Sequence, residues 1–581
     1  MVASRGTDSS MTPTAPAFAS KRGGGGFEGI AASFLLVLLC VAWILATLVG
    51  HDPWKPDEAY TFGLVLDFLD RGDWVVPTLA GEPFLEKPPL FFITASAFAA
   101  AFGKVLALHD AARLATGFYV SVALAFLALT ARELYGGRLG WTAVLTMLGS
   151  LGLIVRAHQL ITDVALLAGM SIAMYGLACS RVRALRGGIA LGVGAAVAFL
   201  SKGLLGPGML GLAALALACF PPWRQRTYAK ALLIAALVAA PPIATWTVAL
   251  FLRSPDLFST WLVTNNFGRF LGFTDIGPHQ PRFFYVYTLA WYALPSLPLA
   301  AWGMWRRVRD GAPVRDDPGT LLPVVVLATM LGVLGVASDA RELYLMPALL
   351  PLALLGASAA DRLPAAAAAA VARIARIAFG LLACALWLLW FALLSGWPPG
   401  VAEALRAFQP DYVTRFAGPT FAVALGATAA WFVAGVPRVR DGHAALVQWT
   451  AGATLCIVIV GTLWLPYIDA GKSYRGMVLS LLRSLPDGGC IASRHLGEPQ
   501  RAMLYYYGHR TTLRDEAAVH DTPCSILLIQ GWRSSGAPAG PEGWVPVWEG
   551  ARPGDDKELY RLYVRPERHP ATSRHALPPR P

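Results

Sequence analysis

Two adjacent carboxylates, Asp57 and Glu58, directly follow Pro56 in the stretch HDPWKPDEAY (51–60). A carboxylate held at a membrane surface can accept the proton of a hydroxyl nucleophile, or orient it. The surrounding segment, 51–88, holds eight Asp or Glu against three Lys or Arg, so the alternative is a solvated acidic loop with no chemistry. Four cations are the complementary feature. Lys87 in EKPP, Lys202 in SKG, Arg269 and Arg341 each stand at the edge of an apolar run, away from the basic clusters. A single such cation can snorkel to the interface, whereas several on one face make an anion site. A phosphate monoester leaving group carries about −1.5 to −2 charges. Cations aimed at its oxygens stabilise that charge as the bond to it breaks. Asp163 closes RAHQLITD (156–163) and opens another apolar run, either as a third candidate carboxylate or as a helix cap. In the segment 253–282, NNFGRF (265–270) and PHQPR (278–282) supply aromatics that either form an interfacial belt or stack on a sugar.

The elements that must position these residues are membrane spans. Hydrophobic residues make up 56% of the 581-residue chain and charged residues 14%, against about 25% charged in an average soluble protein; the mean hydropathy is +0.52. The net charge of +12 is carried by short basic clusters between apolar runs, without an aromatic-interleaved stripe, which points to membrane orientation rather than to nucleic acid. A span needs roughly 20 apolar residues, with about 17 tolerated. Runs near 30–50, 113–131, 140–157, 163–180, 187–201, 204–219, 231–252, 283–304, 320–337, 343–360, 377–396, 418–435 and 445–467 are thirteen candidates. With the N-terminus inside, every predicted inner loop is basic, as in Arg181, Arg183 and Arg186, or Arg306, Arg307 and Arg309. This alternation requires that the segment 89–104 not cross, as a juxtamembrane or re-entrant helix would not.

The expected layout is a disordered cytoplasmic leader over 1–29, a transmembrane domain over 30–467 with its first outer loop at 51–88, a small α/β domain outside the membrane over 468–565, and a disordered tail over 566–581. In the α/β domain CIASRH, AMLYYYG, SILLIQG, WVPVWEG and ELYRLYV read as strands, and GMVLSLLRSL near 475–485 reads as a helix. Its two cysteines, Cys490 and Cys524, form a disulfide in an oxidising compartment or are separate buried thiols. The other five cysteines lie singly in apolar runs, as packing residues do.

Pro56, Asp57 and Glu58, followed by GDWVVP (72–77) and GEPFLEKPPL (81–90), resemble the first outer loop of the aminoarabinose transferase and protein mannosyltransferase group of GT-C glycosyltransferases. TD at 162–163, FLSKG (199–203), NNFGRF and RELYLMP (341–347) follow in that group's order, so the resemblance covers roughly 30–360. It implies an α-helical polytopic membrane enzyme that transfers a sugar, with inversion, from a polyprenyl-phosphate carrier. Asp57 would be the catalytic carboxylate, with Glu58 and Asp163 the further candidates. Lys87, Lys202, Arg269, Arg341 and Tyr344 would surround the carrier phosphate, and Glu86 and His279 would contact the substrate. Thirteen spans and an outer C-terminal domain suit the aminoarabinose branch, in a bacterial inner membrane with that domain in the periplasm. No metal or cofactor is expected. The sequence departs from the group where DEAY (57–60) lacks the Arg often found there, which leaves the donor sugar open; the acceptor could be lipid A, another glycolipid, a polysaccharide or a protein. The rival from another class is a transporter or flippase of lipid-linked sugars, though neither inverted repeats nor charges within mid-membrane runs are visible.

Overall fold

The computed structural model describes residues 26–566, apart from 275–279, 282, 411, 434–440, 487, 517–521 and 537. The proposed leader (except for residues 26–29), His279 and the tail beyond 566 therefore lie outside the described residues. The described parts of all thirteen apolar runs fall largely on helix. Among the described residues, seven helices are long and apolar enough to cross a membrane, including Leu108–Tyr135, Ala184–Lys202, Arg226–Arg253, Pro318–Val336 and Ala365–Ser395. The others are shorter or broken. The run 140–157 divides into Leu139–Leu148 and Leu151–Arg156, and 283–304 into Phe284–Tyr292 and Ser296–Arg309. The two breaks pack together: Leu151 N–H donates to the Leu294 carbonyl at 3.1 Å, and the Ser150 and Ser296 hydroxyls meet at 2.5 Å. Irregular backbone at this depth persists because protein groups satisfy it. Helix Leu90–Phe102, inside the segment expected not to cross, has 13 residues and at 1.5 Å per residue reaches about 20 Å, short of a bilayer core of about 30 Å.

Small residues set the closest helix pair. Asp163–Cys179 and Ala184–Lys202 run antiparallel, and a Cβ added at Gly169, Gly176 or Gly194 would come within 2.3 to 2.8 Å of the other helix's backbone. Without a hydrophobic driving force in lipid, such close backbone approach is what holds helices together. Because the hairpin is tight, the first residue of one helix and the last of the other, Asp163 and Lys202, emerge at the same end. Large apolar side chains such as Leu233, Leu237, Leu381 and Leu388 stay more than 60% exposed, as lipid-facing residues do.

The C-terminal domain is a five-stranded mixed sheet in the order Thr512–Arg514, Ile491–Arg494, Ile526–Trp532, Glu558–Val564, Val545–Gly550, with the first two pairings parallel and the last two antiparallel. Cys490 and Cys524 are bonded at one end of it. One expectation is corrected: AMLYYYG is not a strand but the body of helix Glu498–Gly508. Gly497 and Pro499 provide a good helix start, and packing overrides the β propensity of the three tyrosines. The partner of this helix is Asp57–Arg71 of the first loop, where a Cβ on Gly63 would sit 2.5 Å from that of Ala502. Ion pairs of Arg501 with Glu82 (2.9 Å) and of Lys55 with Glu558 (2.6 Å) join the same two units.

Candidate functional site

Asp57 and Glu58 are the first two residues of helix Asp57–Arg71. Successive residues on a helix diverge by about 100°, and the two carboxylates accordingly have different surroundings. Glu58 turns inward and is 1% exposed. It accepts from Arg113 Nε at 3.0 Å, Leu160 N at 2.8 Å and Trp54 N at 3.2 Å. Burial pushes its pKa up, but Arg113, His51 and the Leu160 N–H outweigh it and hold Glu58 below the usual glutamate range. Arg113 is fully buried and spends its remaining N–H groups on Asp110 (2.6 Å) and the carbonyls of Leu48, His51 and Asp52. This network nails the start of the helix to helix Leu108–Tyr135.

Asp57 turns the other way, into a cavity of about 320 Å³. Eight of the ten residues singled out from the sequence line that cavity: Asp57, Glu86, Lys87, Asp163, Lys202, Arg269, Arg341 and Tyr344. Glu58 does not line it, and His279 is outside the described residues. Lys202 Nζ donates to Asp163 Oδ1 at 2.5 Å and lies 4.6 Å from the centre of the Tyr344 ring. The turn after Lys202 needs glycine: Gly203 has φ +70°, and a Cβ there would lie 2.4 Å from Asn266 Oδ1. Asn266, within the π-helical turn Thr260–Gly268, accepts from Leu204 N at 3.1 Å and so pins that turn. Such wide turns recur at functional sites. Arg269 follows it and pairs with Glu86 (3.1 Å) and Asp339 (2.9 Å). Burial alone would lower the Arg269 pKa; Glu86 and Asp339 raise it above the ordinary arginine value.

Four polar side chains in the cavity carry no individual signal in the sequence. Asp339 gathers Arg269, Arg341 at 3.4 Å and the Tyr344 hydroxyl at 2.9 Å. Asn265 and Asn266 lie in the NNFGRF motif but were not assigned individually. Tyr60, three residues after Asp57, accepts from Lys87 Nζ at 2.6 Å and donates to Asp57 Oδ1 at 3.3 Å. Burial and then the Asp57 charge drive its phenol well above the usual pKa, so it stays a neutral bridge. Lys202, Arg269 and Arg341 each have a carboxylate within 4.0 Å, whereas among the described residues neither Asp57 nor Lys87 has an oppositely charged partner at that distance. One wall of the cavity is apolar, with Leu205, Leu212, Val333 and Leu334, and Leu212 is half exposed on the lipid-facing surface. The arrangement can hold an anion among cations, seat an apolar chain beside it and present Asp57, a carboxylate without a cationic partner among the described residues.

The structure aligns over 92% of its length with ArnT from Cupriavidus metallidurans bound to undecaprenyl phosphate, covering 98% of that chain at 16% identity and a TM-score of 0.68. The family model for dolichyl-phosphate-mannose-protein mannosyltransferases matches residues 86–249. The chain carries the GT-C fold of that group. Sequence relatives of this GT-C protein include an undecaprenyl phosphate-alpha-4-amino-4-deoxy-L-arabinose arabinosyl transferase from Serratia proteamaculans, 26% identical over 73% of the chain and 75% of the relative. Another of that name, from Pseudomonas fluorescens, is 29% identical over 55% of the chain and 56% of its own length. The chain thus spans little more than half of the latter relative.

Proposed function

We propose that this multi-pass membrane protein is an inverting glycosyltransferase that takes a sugar from a polyprenyl-phosphate carrier and delivers it to an acceptor at the outer face of a bacterial inner membrane. The observation that carries this reading is the pair Asp57 and Lys87, joined through Tyr60 in one cavity and each without an oppositely charged partner among the described residues. Lys87, with Lys202, Arg269, Arg341 and Tyr344 behind it, receives the carrier phosphate, and the apolar wall receives the first isoprene units. As the glycosidic bond breaks, the phosphate leaves as an anion that these cations hold without a general acid. Asp57 accepts or directs the proton of the acceptor as its oxygen attacks the anomeric carbon. Glu58 keeps Asp57 in place rather than reacting, Asp163 holds Lys202, and Glu86 contacts substrate beside Arg269. The donor is an aminoarabinose-like pentose or a hexose; the acceptor is lipid A, another glycolipid, a polysaccharide or a protein. Residues 30–467 form the transferase domain, and 468–565 form a periplasmic domain docked on the catalytic loop.

The relatives' names as transferases favour this reading over a flippase. Mass spectrometry of membrane glycolipids and glycoproteins from cells with and without the gene tests it. A mass difference of one sugar on an acceptor is expected. Unchanged acceptors together with lost translocation of the lipid-linked donor would establish the flippase instead.

A further inference from the structure

A second pocket, of about 80 Å³, lies where helices Ser296–Arg309, Pro318–Val336 and Leu349–Ala360 come together. Trp302, Arg306, Arg307, Thr320, Ser358 and Arg362 line it, with Asp310 as its one carboxylate. One of these helices, Pro318–Val336, also builds the candidate catalytic cavity. Val333 and Leu334 line that cavity while Thr320 of the same helix lines the second pocket, a separation of about 20 Å at 1.5 Å per residue. Tyr344, in the 3-10 turn Glu342–Ala348 that precedes helix Leu349–Ala360, and Arg362, just after that helix, likewise stand at its opposite ends. The second pocket therefore sits at the opposite end of the spans, where the basic loops lie.

The arginines are not equivalent. Arg307 is spent on Asp317 at 2.8 Å and on the Pro313 carbonyl at 3.3 Å. Arg306 has only a loose contact with Asp310 at 3.7 Å, and Arg362 has no carboxylate within 4.0 Å among the described residues. Trp302 lies beneath Arg306 with 5.7 Å between guanidinium and ring centre, and on the lipid-exposed side Trp305 lies beneath Arg309 at 5.4 Å. Tryptophan at this level marks the boundary between hydrocarbon and headgroups. We propose that this pocket binds the phosphate of an anionic membrane lipid, with Arg306 and Arg362 forking its oxygens, Ser358 donating a hydroxyl, and the acyl chains running along the Trp302–Trp305 face. Arginine suits this task because its planar fork matches phosphate geometry, and basic pockets between spans hold anionic headgroups elsewhere. The plainer role of these arginines, complementing helix C-termini, accounts for neither a polar cavity nor an arginine that has no carboxylate partner among the described residues.

Native mass spectrometry and thermal unfolding of the full-length protein in detergent test the site, with phosphatidylglycerol, phosphatidylethanolamine and inorganic phosphate as the three probes. Phosphatidylglycerol should bind at least about tenfold more tightly than phosphatidylethanolamine and raise the unfolding temperature. Arg306→Gln with Arg362→Gln should abolish that preference, whereas Arg309→Gln, on the same helix but outside the pocket, should retain it. Arg306 and Arg362 are both exposed, so the double variant should fold; an unfolding temperature equal to wild type without lipid confirms that it does. Equal binding of the two lipids, or equal loss in Arg309→Gln, would overturn the pocket as the site. Stabilisation by inorganic phosphate as large as that by phosphatidylglycerol would overturn the lipid as its occupant.

Discussion

Replacing Arg113 by methionine removes five hydrogen bonds at once from a guanidinium that is 0% exposed. Methionine fills much of the volume, so packing loss is small and the electrostatic consequence dominates. Glu58, 1% exposed, would retain two backbone donors but lose its only guanidinium. Removing one partner of a buried ion pair typically costs about 3–5 kcal/mol, because the other charge is left uncompensated. Against a total stability of about 5–15 kcal/mol that is a large fraction. Glu58 would respond by taking up a proton, since burial, the largest influence on it, favours the neutral form. The assay is unfolding of the purified protein in detergent, run on Arg113→Met, Glu58→Gln and the double variant. Arg113→Met should be the least stable, and adding Glu58→Gln to it should recover at least about 1 kcal/mol, the coupling expected of residues in one network. Arg113→Lys should rescue little, because an ammonium cannot serve five acceptors arranged for a planar fork. A loss below about 1 kcal/mol in Arg113→Met, or simple additivity in the double variant, would refute the claim that this network fixes the start of helix Asp57–Arg71.

Lys87→Ala and Lys202→Ala should each weaken donor binding by about 1.5–3 kcal/mol, measured by titration with the lipid-linked donor, with the abundance of Lys87→Ala in the membrane unchanged. Burial, and then Arg113, lower the His51 pKa to about 4 from 6.5. His51 is neutral when folded and charged when unfolded between those values, so stability is full above about pH 6.5 and falls as the pH drops toward 4, by about 3 kcal/mol. Unfolding of His51→Phe against wild type over that range should show a flatter profile. Reducing the Cys490–Cys524 bridge, which closes 34 residues of sequence, should destabilise the C-terminal domain by about 2–4 kcal/mol, read by proteolysis with and without reductant.

Much of the cavity was legible because its residues break a charge rule. Lys87, Lys202, Arg269 and Arg341 stand out only since they lie at ends of apolar runs away from the basic clusters. The helical runs were legible because their apolar length is set by the bilayer. Asp339 and Tyr60 carried no such signal: an acid outside and a tyrosine at an interface both satisfy the usual pattern, and only the fold brings Asp339 to Arg269, 70 residues away. Arg113 was hidden because it lies inside a helix whose mean apolarity masks one buried charge. Asp57 and Glu58 could not be separated by type or position; the helix phase that divides their roles appears only when Glu58 meets Arg113 and Leu160. The misread strand AMLYYYG illustrates the converse, local β propensity overridden by a long-range contact with Gly63.

We propose Asp57 as the carboxylate that activates the acceptor. Asp57→Asn keeps the side-chain size and the bond to Tyr60 while removing charge and basicity. The decisive measurement is single-turnover transfer from a polyprenyl-phosphate-linked sugar by purified Asp57→Asn, alongside donor binding by the same preparation. Donor binding should match wild type and the rate of transfer should fall by about 10² to 10⁴. Transfer at a near wild-type rate would contradict the account and leave Asp57 as an anion of the loop, with Asp163 the next carboxylate to test.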